Sequence, residues 1–117
     1  MVVLELSEQD VNRLFRALAD ATRRDIVRRT LVTDISVSQL ADSYEMSFAA
    51  VQKHIAVLEE ANLVTKAARG RERMVRGNLV RIHQAQRLLD HFEELWRSRI
   101  ERLDSLLAED APAPPDT

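Results

Sequence analysis

Cysteine is absent from the 117 residues, which excludes disulfides, iron–sulfur clusters, thiolate zinc sites and cysteine nucleophiles. Glycine occurs only at Gly70 and Gly77, and the three prolines, Pro112, Pro114 and Pro115, fall within the last six residues. With so little to interrupt the backbone, nearly everything before residue 64 reads as helix. No apolar run approaches the ~20 residues of a membrane span, and Met1 to Asp10 lacks the basic-then-apolar layout of a secretory leader, so the cytoplasm is the expected compartment. The residues present are 45 % apolar and 31 % charged, with a formal net charge of −2. That composition suits an ordinary soluble domain long enough for one core. A single domain is expected over residues 1–107. Residues 108–117, rich in Ala, Pro and Asp without a large apolar side chain, are expected to form a disordered tail, because burial cannot offset their ordering entropy.

Helix starts are marked by short polar residues. Ser7 with Asp10 resembles a capping box, followed by Val11, Leu14, Phe15 and Leu18 at helical spacing. A break at Asp20 to Thr22, with Asp20 or Thr22 as N-cap, opens a second helix with Ile26, Val27 and Leu31 inward. Asp34 to Ser36 ends it. Ser36 with Gln39 forms a second capping box and starts a short helix that buries Val37, Leu40 and Ala41 before ending near Tyr44 and Glu45. Ser47 caps a fourth helix with Val51, Ile55 and Leu58 as its core stripe, and Asn62 stands where a left-handed C-cap residue is wanted. A short helix, a tight turn and a longer helix make a helix-turn-helix.

The pattern changes at Leu63. Leu63 to Ala68 and Arg73 to Arg76 are extended candidates flanking the charged tip Arg69-Gly70-Arg71-Glu72, which predicts a β-hairpin. Beyond Asn78, Ile82, Leu88, Leu89, Phe92, Leu95, Trp96, Ile100, Leu103, Leu106 and Leu107 keep a three-and-four spacing over roughly 26 residues, or about 39 Å of helix. A domain of this size covers only part of that stripe. The remainder is expected to pack on a second copy, the alternative being an intramolecular bundle in which the first helix masks some of it. The expected fold is mainly α with a small β-hairpin, a winged helix-turn-helix forming a homodimer through its N- and C-terminal helices. Leu14, Phe15, Leu88, Phe92, Leu95, Trp96, Ile100 and Leu103 are the expected interface.

Charge is unevenly distributed. Residues 1–46 carry a formal −2 and residues 82–117 carry −4, while residues 47–81 carry +4. The basic excess is confined to the fourth helix and the hairpin, where Arg69, Arg71, Arg73 and Arg76 can bind phosphates or enter a minor groove. A charge run by itself is as readily a solvated face. Its location on these two elements favours double-stranded DNA as partner.

The segments Phe15-Arg16-Ala17-Leu18-Ala19-Asp20-Ala21-Thr22-Arg23-Arg24-Asp25-Ile26, Ser38-Gln39-Leu40-Ala41, Met46 to Val64 and Gly70-Arg71 resemble, in that order, the ArsR-type winged-helix repressors. The resemblance spans roughly residues 11 to 100. Ala21 replaces a common proline and Asn62 a usual glycine, a change that a left-handed cap tolerates. The resemblance implies a homodimeric transcription regulator with the fourth helix in the major groove and the hairpin on the flanking backbone. Ser47, Phe48, Ala49, Ala50, Gln52, Lys53 and His54 lie off the core stripe at the start of that helix. Gln52 can pair with adenine, Lys53 can address guanine or phosphate, and Phe48 or Ala49 can touch a thymine methyl. Phe48 can equally pack on the preceding helix, and His54 matches a family histidine that commonly faces DNA.

Some members of the family sense metals. Their thiolate site needs cysteines on the short third helix, and Ser36-Val37-Ser38-Gln39 has none. A second family site uses His and carboxylates on the last helix, where His83, Asp90, His91, Glu93 and Glu94 are available. The Asp-x-His start is missing there, so no metal and no cofactor is expected. Three scattered histidines without a glycine-rich loop supply no catalytic set, so an enzyme is not expected either. The expected function is sequence-specific regulation of transcription, as a repressor on an imperfect palindrome and possibly of its own gene. The alternatives are a winged-helix protein-interaction module, or a metal-responsive repressor using the last helix.

Overall fold

Each of the first four helices starts at a side-chain oxygen that accepts a hydrogen bond from the backbone N–H three residues on. The computed structural model describes residues 6–110. Ser7 caps α1 (Glu8–Leu18), Asp20 caps α2 (Ala21–Val32), Ser36 caps α3 (Val37–Asp42) and Ser47 caps α4 (Phe48–Glu60). Asp10 and Gln39 reach back to the Ser7 and Ser36 backbone N–H groups, completing both capping boxes that the sequence predicts. Such caps stabilise a helix by about 1 kcal/mol each, and they fix where each helix begins. At the far end of α4, Asn62 adopts φ 58°, a left-handed conformation in which Asn is tolerated. Its carbonyl accepts a 2.8 Å bond from Asn78 Nδ2.

A short strand, β1 (Ile35–Ser36), lies between α2 and α3, and β2 (Val64–Arg69) and β3 (Glu72–Gly77) form the hairpin. The sheet is antiparallel in the order β1-β3-β2, with Ile35 opposite Val75 and Lys66 opposite Val75 on the other side. The hairpin extends one residue further toward its tip on each side than the sequence indicates, leaving Gly70 and Arg71 as a two-residue turn. Gly70 sits at φ +61°, as a tight hairpin turn requires. α5 (Leu79–Asp110) completes the order. The fold is a winged helix-turn-helix, mainly α with a small antiparallel sheet.

The chain divides into two compact units, one up to Ala85 and one from Gln86. In the first, Leu14, Ile26, Leu40, Val51, Ile55, Leu58, Leu63, Val64 and Val75 are almost fully buried in one core drawn from α1 to α4 and the sheet. Burying a side chain of this size contributes roughly 1.5–3 kcal/mol, so the core fixes the orientation of α4 and the hairpin. Two expectations fail here. Leu31 is 40 % exposed, and Thr30 takes the inward position, donating its hydroxyl to the Ile26 carbonyl at 2.7 Å. Such a bond lets a polar side chain stand in the core, where helical spacing from Ile26 requires an inward residue. Leu14, expected at a dimer surface, is fully buried within the protomer, whereas Phe15 on the same helix is 38 % exposed. Successive residues on a helix point about 100° apart, so these neighbours cannot share a face.

In the second unit, residues 86–110 of α5 are helical to Asp110, which moves the start of the expected tail. Ala108, Glu109 and Asp110 carry no side chain that breaks a helix. The rest of the expected tail, residues 111–117, lies outside the described residues. Leu89, Phe92, Leu95, Trp96, Ile100 and Leu103 are between 39 and 56 % exposed, and Leu88 is half-buried. No helix among the described residues is long and apolar enough to cross a membrane.

Candidate nucleic-acid interface

The period of α4 sorts its residues. Val51, Ile55 and Leu58 enter the core, so Ala49, Gln52, Lys53 and Ala56, a quarter to a half turn away, are exposed. Ser47 is also exposed, but its hydroxyl oxygen is already committed to the Ala50 N–H at 3.1 Å. Phe48 begins the helix and is 50 % exposed. It contributes to a cleft shared with Gln52 of α4, Val37 of α3 and Lys66 of β2.

His54 is turned differently. Its Nδ1 lies 3.3 Å from Arg23 Nη1 and 3.9 Å from Asp20 Oδ2, and its side chain is 22 % exposed. Arg23 in turn donates through Nε to the Ala17 carbonyl at 2.8 Å and through Nη2 to the Arg16 carbonyl at 3.0 Å. Those carbonyls belong to the last turn of α1, where the Arg16 carbonyl also accepts from the Ala19 N–H at 3.2 Å, so the guanidinium adds to the cap of α1 and reaches α4 together. Asp20 has its pKa lowered, first by the hydrogen bond from the Arg23 backbone N–H and then by nearby positive charge. The ring of His54 is thus anchored inward at Nδ1, a role that the sequence does not reveal because its partners lie 31 and 34 residues away.

The pleat of the hairpin divides the four arginines that the sequence groups together. Residues alternate between faces along a strand. Lys66, Val75 and Arg73 lie toward α3 and α4, while Thr65, Ala67, Arg69, Met74 and Arg76 line a shallow depression with Asp34. Arg76 donates from Nε and Nη2 to both oxygens of Asp34, at 2.9 and 2.8 Å, and Arg69 approaches the same carboxylate at 3.5 Å. The Arg76 hydrogen bonds hold the Asp34 carboxyl below its usual range, and Asp34 raises the pKa of Arg76. Arg71 and Arg73 are exposed and, among the described residues, have no ion-pair partner. Asp34, just before β1, is the residue of this region that sequence reasoning passed over as a helix break.

A second polar cluster steadies the turn that leads into α4. The Tyr44 hydroxyl donates to Asp25 of α2, and Arg29 donates to that hydroxyl at 3.3 Å and to Ser43 at 3.1 Å. The Arg29 guanidinium also stands 5.6 Å from the Tyr44 ring centroid. Asp25 is held acidic chiefly by the Tyr44 hydrogen bond, while burial is the main cause of the raised Tyr44 pKa. No group of three or more His, Asp or Glu side chains that could hold a metal is brought together among the described residues. His91 and Glu94 approach to 4.0 Å as a lone pair.

An exposed, capped second helix beside a short helix and a basic hairpin defines the class of winged helix-turn-helix proteins. The family profile for bacterial regulatory proteins of the arsR family matches residues 20–66. The HTH-type transcriptional regulator Rv2034 of Mycobacterium tuberculosis is 40 % identical over 63 residues, covering 54 % of this chain and 59 % of that protein. The crystal structure of the ArsR family transcriptional regulator RHA00566 is 30 % identical with a TM-score of 0.74, covering 80 % of this chain and 96 % of its own. An ArsR-like transcriptional regulator from Rhodococcus sp. RHA1 is 26 % identical with a TM-score of 0.79, covering 88 % and 94 %. The chain belongs to the ArsR family. Its family and fold are those of transcriptional regulators rather than enzymes.

Proposed function

We propose that this protein is a DNA-binding transcriptional repressor that acts as a homodimer on an imperfect palindrome. The observation that carries this reading is the row Ala49, Gln52 and Lys53, exposed on a helix capped by Ser47 and flanked by Arg71 and Arg73, which are unpaired among the described residues. In it, α4 enters the major groove, Gln52 and Lys53 address base edges, Phe48 or Ala49 meets a thymine methyl, and the two arginines bind phosphates. His54, anchored at Nδ1, keeps Nε2 as the only ring nitrogen for the duplex. Arg69 and Arg76, engaged by Asp34, contribute less.

The dimer rests on the α5 stripe. Phe92, Leu95, Trp96, Ile100 and Leu103 are large apolar side chains left in water, and their three-and-four spacing suits pairing with the same helix of another copy. Phe15 is the exposed apolar residue that α1 offers. A two-fold dimer sets two α4 helices into successive major grooves about 34 Å apart. Occlusion of a promoter then represses transcription, including that of its own gene where the operator lies there.

Selection of bound duplexes from a random pool, followed by footprinting, tests this reading. The expected result is two related half-sites one helical turn apart, with sequence preference lost in the Gln52→Ala/Lys53→Ala protein. Unchanged preference in that variant, or no enriched sequence at all, would refute it.

A further inference from the structure

The cleft between α3, α4 and the hairpin has a volume of about 250 Å³. We propose that it binds a small organic anion with an apolar body, and that its occupancy excludes DNA from the same face. The site itself follows from the lining residues. The exclusion of DNA rests on the DNA-binding reading above.

Three observations carry the proposal. First, the rim is cationic: Lys66, Arg71 and Arg73 face a single lining carboxylate, Glu72. Lys66 shares Glu59 at 3.4 Å, but Arg71 and Arg73 have no ion-pair partner among the described residues. Two arginines lining one concave surface favour a carboxylate or another oxyanion. Second, part of the wall is apolar: Val37 is half-buried and Phe48 is half in water, while Ile55, only 1 % exposed, closes the floor beneath them. A bare phosphate would leave these surfaces wet, whereas an amphiphilic anion covers them and still reaches the arginines. Third, the volume lies below the ~300–1,000 Å³ typical of pockets for drug-sized ligands, which restricts the occupant to a single ring or a short chain. The Gln52 amide lines the same cleft and supplies a neutral donor for the anionic group.

The same side chains serve both partners. Phe48 and Gln52 are the proposed base-facing residues, and Arg71 and Arg73 are the proposed phosphate contacts. A ligand seated among them therefore competes directly with the duplex, and no conformational change is required. This would supply an inducer site in a chain without thiolate ligands.

The test uses the full chain and benzoate as probe, followed by amide NMR, with inorganic phosphate and benzyl alcohol as controls. Saturable shifts centred on Val37, Phe48, Ile55 and Arg73 are expected with benzoate, and none that saturate with either control. Arg73→Ala should weaken benzoate at least about tenfold, the loss of one charge-assisted contact. Ser38→Phe, which fills the cleft with a ring, should abolish the shifts while the circular dichroism spectrum is kept. Failure to saturate, phosphate binding as tightly as benzoate, or shifts that survive both substitutions would each overturn the site. If a selected duplex stays bound in saturating benzoate, the competition is overturned. Benzoate binding by a protein that selects no DNA would refute the DNA reading and support the cleft.

Discussion

The arginines of the hairpin should contribute unequally to DNA affinity, in an order set by their ion pairing. Arg76 gives two hydrogen bonds to Asp34, and Arg69 leans on the same carboxylate, so this group is largely neutralised before DNA arrives. Arg71 and Arg73 have no ion-pair partner among the described residues. Each phosphate neutralised contributes about 0.9 to the slope of log K against log salt. In a homodimer Arg73→Ala removes two such contacts, so the slope should flatten by about 1.8. Between 50 and 200 mM salt, the loss of affinity should then shrink by a factor of about 12. Arg76→Ala should alter the slope by less than about half as much, because the contact it deletes is with Asp34. Fluorescence anisotropy of a labelled operator duplex across that salt range measures both. An equal flattening by the two substitutions would refute the argument that Asp34 holds Arg76 out of the interface, and no flattening by Arg73→Ala would refute the wing contact itself.

Gly77→Ala should destabilise the fold by about 1–3 kcal/mol through overpacking. A Cβ there would stand 2.7 Å from Leu31 Cγ and 2.9 Å from the Leu31 backbone nitrogen; the side chain can swing outward but the backbone cannot, and an unchanged urea midpoint would contradict this. Phe92→Glu combined with Trp96→Glu should halve the mass seen by sedimentation at micromolar concentration while keeping the helical circular dichroism signal; a wild-type chain that already sediments as a monomer would remove the dimer. Asp20 should contribute to acid sensitivity. Its folded pKa is lowered, first by the Arg23 backbone hydrogen bond, so the stabilisation is fully present above the unfolded value near 3.9 and is lost as pH falls through the lower folded value. Asp20→Asn should therefore flatten the dependence of stability on pH below about 4, and a steeper dependence in guanidinium unfolding series would show the sign to be wrong.

Local signals were readable wherever a single residue decides a local geometry. Ser7, Ser36 and Ser47 cap helices because a short side chain three residues before an N–H can reach it, and Asn62 and Gly70 mark backbone that ordinary residues avoid. The inward stripe of α4 was equally plain, being a simple period. What was hidden depends on partners distant in the chain. β1 is two residues long, too short for any alternation, and exists because Ile35 and Ser36 pair with Val75 and Met74. Leu31 reads as core by spacing, yet Thr30 wins the position by satisfying its hydroxyl within the helix. Leu14 and Phe15 are indistinguishable by hydropathy, and only the direction of the α1 core face separates them.

The basic charge of residues 47–81 shows the same limit more sharply. Of the six cations between Ser47 and Gly77, Lys66 is drawn to Glu59, and Arg69 and Arg76 to Asp34, leaving Lys53, Arg71 and Arg73 unpaired among the described residues. A formal count assigns each the same weight, but a cation hydrogen-bonded to a carboxylate shares its donors and its charge with that carboxylate, even where the pair is exposed. Arg23 and Arg24 are likewise occupied, donating to the Arg16, Ala17 and Leu18 carbonyls at the end of α1. Arginines therefore divide into those that join elements and those that remain available. Arg23 belongs to the first kind and, through His54, ties the α1–α2 junction to α4. Of the remainder, Arg71 and Arg73 line one cleft with Gln52 and Lys53 is exposed on α4 next to it, so the uncompensated positive charge lies at the helix proposed to read DNA although the net charge of the chain is −2.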